Sequence, residues 1–167
     1  MSRLHILRYP DARLHRIAAP VEAINESIRA LVADMAETMY TAPGVGLAAT
    51  QVDVHKQVIV IDASETRDQL LTLINPVILA ASGVADCEEG CLSVPGIYEK
   101  IARAEHIAVR ALGLDGHTFT MQAKSLLAVC IQHEMDHLKG RVFVEYLSRL
   151  KQTRIRAKMQ KQQRQSA

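Results

Sequence analysis

Apolar residues recur along the chain at two periods, and each predicts a kind of element. Ile24, Ile28, Leu31, Val32, Met35 and Met39 return every three or four positions, which describes an amphipathic helix from about Asn25 to Met39. The loop Thr41-Ala42-Pro43-Gly44 stops it. Four short β-branched or apolar runs, Val58 to Ile61, Leu71 to Ile74, Ile107 to Arg110 and Thr118 to Gln122, predict strands. Between the last two, Leu114-Asp115-Gly116-His117 carries the Asp-Gly signal of a hairpin, so the strands are expected to be antiparallel. Ala123 to Lys139 turns helical again and is apolar on most sides, which predicts a central buried helix closed by Gly140. A further exposed helix is expected from Ser148, its capping residue.

Strands between an early and a late helix, without regular βαβ alternation, predict an α+β fold: antiparallel strands packed around a central helix, followed by a C-terminal helix. No repeat or Gly/Ser-rich linker divides the chain. One domain over 1–147 with an appended tail over 148–167 is the simplest organisation.

Composition refines this picture in three ways. The chain has 167 residues, 49% of them hydrophobic, enough to bury a core without disulfides or a structural metal. With no Trp and only two Phe, that core has to be built mainly from aliphatic side chains. The net charge of +2 hides two regions of opposite sign: Arg149 to Ala167 holds seven basic residues and no acid, while the preceding residues hold 13 Lys and Arg against all 18 acids, a balance of −5. Met1-Ser2-Arg3-Leu4-His5 lacks the apolar run of a signal peptide or membrane span, so a cytoplasmic protein with no membrane association is expected. The three cysteines, Cys87, Cys91 and Cys130, then suit ligand or core roles better than disulfides.

The most specific stretch is Gln132-His133-Glu134-Met135-Asp136-His137, an HExxH motif on the predicted central helix. Histidines four apart lie about 40° apart around a helix, so both imidazoles can reach one cation. Glu134 between them is placed to accept a proton from water without ligating the metal. Two histidines and two carboxylates on an apolar helix would be costly to bury without a task. Downstream of His137 there is no His or Cys and a single acid, Glu145, so a third ligand has to come from upstream. Cys91, in Glu89-Gly90-Cys91-Leu92-Ser93, would leave a tetrahedral ion with one open position. Cys87 and Cys91 with His133 and His137 form the alternative, a closed structural zinc site, despite the 41 residues between its halves. Asp136 is also a candidate to pair with Arg103 and orient the site, while His5, His15, His55, His106 and His117 are expected on the surface or in loops.

Gly44-Val45-Gly46-Leu47-Ala48-Ala49-Thr50-Gln51 is weak by itself. It lacks the third glycine of a dinucleotide loop and the Lys-Ser/Thr of a phosphate loop, and by default reads as a helix-to-strand turn. All three motifs in this order, however, resemble the peptide deformylase family. The resemblance extends through Asn75-Pro76, the Arg103 region and Gly140 onward, with a long basic C-terminal helix like that of the Gram-negative form. Ser125, where many relatives have glycine, and Gly96-Ile97-Tyr98 depart from the family pattern.

This resemblance implies removal of the formyl group from the N-formylmethionine of nascent chains, releasing formate. It makes Cys91, His133 and His137 the metal ligands and Glu134 the general base and acid; metal-activated water would attack, and Gln51 and the Leu92 amide would stabilise the oxyanion. Peptide is expected to pair along Gly46 and past Gly90, with Val45, Leu92, Val129 and Cys130 lining an apolar methionine pocket. The expected cofactor is one divalent ion, Fe(II) in the cell, with Zn(II), Ni(II) or Co(II) also compatible with the ligands. The protein is expected to act as a monomer, and the basic helix to dock on ribosomal RNA near the exit tunnel.

Overall fold

The computed structural model describes residues 2–166, and Ala167, at the end of the basic tail, lies outside the described residues. Among the described residues three α-helices and seven strands follow in the order α1 (Glu26–Thr41), β1 (Gly46–Ala48), β2 (Val58–Ile61), β3 (Leu71–Ser82), β4 (Glu88–Cys91), β5 (Val94–Lys100), β6 (His106–Leu112), β7 (Thr118–Lys124), α2 (Ser125–Leu138) and α3 (Arg149–Ser166). Five strands form one antiparallel sheet in the order β1-β2-β3-β6-β7, and β4 and β5 form a separate hairpin.

Strand β2 shows why the sheet has two covered faces. All four of its residues are buried. Alternate side chains leave a strand on opposite faces, so Val58 and Val60 join Ile28, Val32, Met35 and Met39 of α1, while Ile59 and Ile61 join Ala128, Ile131, Met135 and Leu138 of α2. A third cluster joins Leu7, Tyr9 and Leu14 of the N-terminal segment to Val94 and Ile97 of β5 and to Ile155 and Met159 of α3. That segment also ties sheet to hairpin through its backbone, Leu7 N donating to Gln51 O (2.7 Å) and Tyr9 N to Ser93 O (2.8 Å).

The helix predicted over Asn25–Met39 is α1, with Asn25 as its N-cap: the Asn25 side chain accepts from Ile28 N at 3.0 Å. The strand predicted over Leu71–Ile74 runs on to Ser82. Asn75, at φ 51°, and Pro76 read locally as a turn, yet pairing with β6 carries the strand past them through two register shifts. Ala123 and Lys124, predicted to begin the central helix, instead end β7 opposite Ile107 and His106. The hairpin over 114–117 forms as predicted, with Gly116 at φ 81°. Strands β1, β4 and β5 were not expected; each is short or glycine-containing and lacks a clear alternation. Ser148 caps α3, accepting from Lys151 N at 3.3 Å, but the helix is not wholly exposed, because Ile155 and Met159 are buried.

Candidate active site

Helix α2 divides its circumference between two tasks. Ala128, Ile131, Met135 and Leu138, spaced three and four apart, face the sheet. His133, Glu134 and His137 fall on another face and are buried against the β4–β5 hairpin, whose turn presents Cys91. Cys91 Sγ lies 3.3 Å from His137 Nε2, and the two histidine Nε2 atoms are 3.2 Å apart. Bonds of about 2.0–2.3 Å to a tetrahedral ion would set such donors about 3.3–3.6 Å apart, so these three side chains fit one metal ion. Among the described residues, Cys91, His133 and His137 are the group able to hold an ion, and Cys87 stands outside it. The closed four-ligand alternative is therefore excluded by position.

A buried charge network holds this face in place. His133 Nδ1 donates to Glu89 Oε1 at 2.7 Å, which leaves Nε2 with its lone pair directed at the cluster. Arg103 grips Glu89 through Nε (2.6 Å) and Nη2 (3.0 Å) and Asp136 through Nη1 (2.6 Å), and Tyr146 donates its hydroxyl to the same Asp136 oxygen at 2.8 Å. Burial works against the charge on Glu89, but His133 and Arg103 outweigh it and hold the carboxyl below its usual range. Glu134 differs. Its Oε1 is buried with no hydrogen-bond partner, and burial pushes its pKa up to about 7, with Glu89 adding to the rise and His133 opposing it. A carboxylate so poised can both take and return a proton near neutral pH.

Gln51 is oriented from three sides. Its Oε1 accepts from Ala48 N at 2.9 Å, which turns Nε2 toward Ser93 Oγ (3.0 Å) and Cys91 Sγ (3.5 Å). A cleft of about 1070 Å³ opens over these groups, bounded by Gly44, Val45 and Gly46 on one side and by Glu88 to Leu92 on the other. Gly46 is needed for close approach: a Cβ there would stand 2.5 Å from Glu134 Oε2. Val129 and Cys130 line the wall formed by α2. Burial pushes the Cys130 thiol up to about 12, so it stays neutral and unlike a ligand thiolate.

Residues 3–153 match the family model described as polypeptide deformylase. The chain belongs to the peptide deformylase family. "Peptide deformylase 2" of Nitrosomonas europaea is 66% identical over 164 residues, 98% of this chain and 89% of that one. Among solved structures, the peptide deformylase of Legionella pneumophila superposes with a TM-score of 0.94 at 44% identity, covering 99% of this chain and 98% of the other. That of Ehrlichia chaffeensis, in complex with actinonin, gives 0.95 at 42% identity over 98% and 99%. The chain is thus a hydrolase with a metal-capable Cys, His, His centre.

The site residues that the deformylase resemblance singled out line this one cleft except His137, which is buried beneath it beside Cys91 and His133; they come from the loop before β1, β1, the turn after it, β4 and its turn, and α2. The Arg103–Asp136 pair forms, whereas Glu89 and Tyr146, to which no role was given, complete the network. An acid two residues before Cys91 was the available signal for Glu89. Tyr146 offered none. The other histidines lie outside the centre; His106 sits at the start of β6 with an exposed side chain, and His55 is half-buried in a loop. Among the described residues no helix is long and apolar enough to cross a membrane.

Proposed function

We propose that this chain removes the formyl group from N-formylmethionine at the start of nascent polypeptides, with Cys91, His133 and His137 as metal ligands. The observation that carries the reading is the unpartnered Glu134 carboxyl beside that three-donor cluster, facing a cleft wide enough for an extended peptide. A divalent ion held there supplies Lewis acidity and lowers the pKa of water. Glu134 takes the proton of the attacking water on its carboxylate and hands it to the amine nitrogen as the C–N bond breaks. Gln51 Nε2 and the Leu92 amide donate to the formyl oxygen as negative charge collects on it, and that is worth most in the transition state.

Antiparallel alternation directs the backbone groups of Gly46 away from β2, because Val45 O already accepts from Asp62 N at 2.8 Å. Gly46 therefore offers an edge for the substrate backbone, which passes Gly90 opposite, while Val45, Leu92, Val129 and Cys130 enclose the methionine. The ion is iron(II) in the cell: a thiolate and two imidazoles accept it as readily as zinc, nickel or cobalt, and air inactivates the iron form while the zinc and nickel forms persist. The protein works as a cytoplasmic monomer. The basic helix docks on ribosomal RNA, so ribosome binding weakens steeply with salt and is reduced by deletion after Leu150.

Formate release from formyl-Met-Ala-Ser, with and without a chelator, tests the reading. Release that the chelator abolishes and added Fe(II) restores is the expected result. No formate from the metal-loaded protein would overturn it.

A further inference from the structure

The loop between β2 and β3 is built inward around one acid and reaches, through Arg67, a backbone carbonyl of the cleft wall. Asp62 is fully buried. Its Oδ1 accepts from Ser64 N (2.9 Å) and Ser64 Oγ, and its Oδ2 accepts from Tyr40 Oη (2.6 Å) and Gln69 N (3.0 Å). Burial alone would raise its pKa, but those donors prevail and lower it to about 2, while burial and Asp62 push Tyr40 up to about 12. This closed loop presents Arg67, at φ 58°, whose backbone N donates to Ser64 Oγ at 3.1 Å and whose guanidinium lies over the Tyr40 ring, 5.1 Å from its centroid. A non-glycine residue held left-handed is costly and persists only where its surroundings over-determine it.

The guanidinium then bridges two backbone carbonyls. Nη1 donates to Asp62 O at 2.9 Å, and Nη2 donates to Gly44 O. Gly44 has no slack on its other side, since a Cβ there would meet Leu92 Cδ1 at 2.5 Å, and Gly46, two residues on, lies against Glu134. The segment Gly44–Gly46 thus touches the oxyanion side and the base side of the site, and Arg67 holds it from the outer side. The Asp62 N to Val45 O bond anchors the intervening residue to the same loop.

We infer that Arg67 is a positioning residue for substrate: through the Gly44 carbonyl it fixes the backbone edge at Gly46 on which the formyl peptide pairs, with the Asp62–Tyr40–Ser64 cluster holding Arg67 in place. The inference rests on the deformylase reading. Arg67 touches no reacting atom, so its loss acts on peptide binding before chemistry. Losing an interaction that ground state and transition state share raises KM and leaves kcat.

Steady-state formate release from formyl-Met-Ala-Ser by the metal-loaded wild type, Arg67→Ala and Arg67→Lys, with melting temperatures alongside, is the test. In Arg67→Ala, KM is expected to rise about ten-fold with kcat within about two-fold, and added guanidinium ion should restore part of the loss. Arg67→Lys, which reaches one carbonyl but not both, should fall between and carries the test if the alanine variant fails to fold. An unchanged KM in the folded variants, or a fall in kcat at constant KM without guanidinium rescue, would overturn the positioning role and leave the deformylase reading standing. A wild type that releases no formate overturns both.

Discussion

Helices α2 and α3 are of similar length and opposite construction. Nine of the 14 residues of α2 are buried, including His133, Glu134, Asp136 and His137. Only Ile155 and Met159, four positions apart, are buried among the 18 of α3, and its seven basic residues stand in or near solvent. Two of the ionisable groups of α2 are tolerated because they meet a partner, His133 on Glu89 and Asp136 on Arg103, and Glu134 stands apart as the buried acid with an orphan oxygen. On α3 the ionic contacts are peripheral: Lys151 meets Glu99 at 3.0 Å across partly exposed side chains, and Arg156 lies over Tyr9 at 5.8 Å. A buried ionisable group is costly unless it is paired, whereas an exposed pair is worth little. The unpartnered Glu134 thus marks chemistry, while the charge on α3 marks a surface free to meet something else.

Substitutions on the two helices should therefore differ in size and in kind. Glu134→Ala should reduce kcat by about 10³-fold or more while metal analysis still finds one ion per chain; loss of metal instead would make Glu134 a structural residue. Arg103→Ala, which strands Glu89 and Asp136 in the interior, should destabilise the fold by about 3–5 kcal/mol in denaturant titrations, and a cost below 1 kcal/mol would show the network to be dispensable. On α3 the large effect belongs to an apolar anchor: Met159→Ala should cost about 2–4 kcal/mol from lost burial and the cavity left behind. Replacing Lys158, Lys161 and Arg164 together by Gln should change stability by less than about 0.5 kcal/mol. It should leave small-peptide deformylation intact and weaken sedimentation with ribosomes; an equal loss of both would erase the contrast between the helices.

A small effect of the opposite sign is expected at the start of α2. Ser125 holds φ 54°, a left-handed conformation that glycine adopts without strain, and partly compensates by donating its hydroxyl to Glu105 Oε1 at 2.7 Å. Ser125→Gly should raise stability by up to about 1 kcal/mol. A loss of that size would show that the Glu105 contact outweighs the strain.

Several features were legible from residue order because they depend on neighbours along the chain. The periodicity of Ile28, Val32, Met35 and Met39 describes α1, and the spacing of His133 and His137 states that one helix can offer two imidazoles to one ion. The Asp-Gly turn before β7 and the charge division at Arg149 are equally local. Cys91 followed from the lack of a downstream ligand, with the Cys87-containing closed site as its alternative, whereas the roles expected of Gln51 and Leu92 came from resemblance to a family.

Tertiary structure decided what depends on distant segments meeting. Strand β1 has three residues and no pattern of its own, and it exists because β2 pairs with it. Glu89 and His133 are 44 positions apart, and Gly44 and Arg67 are 23 apart. No periodicity links such pairs, because loop closure and packing set their approach rather than helix or strand geometry. The sequence by itself determined the helices and the strands with a clear apolar run, and it set two imidazoles at helical spacing, because these depend on neighbours along the chain. Folding decided which acid meets His133, which acid is left with an orphan oxygen, and which arginine reaches the Gly44 carbonyl, because those partners lie far apart in the chain.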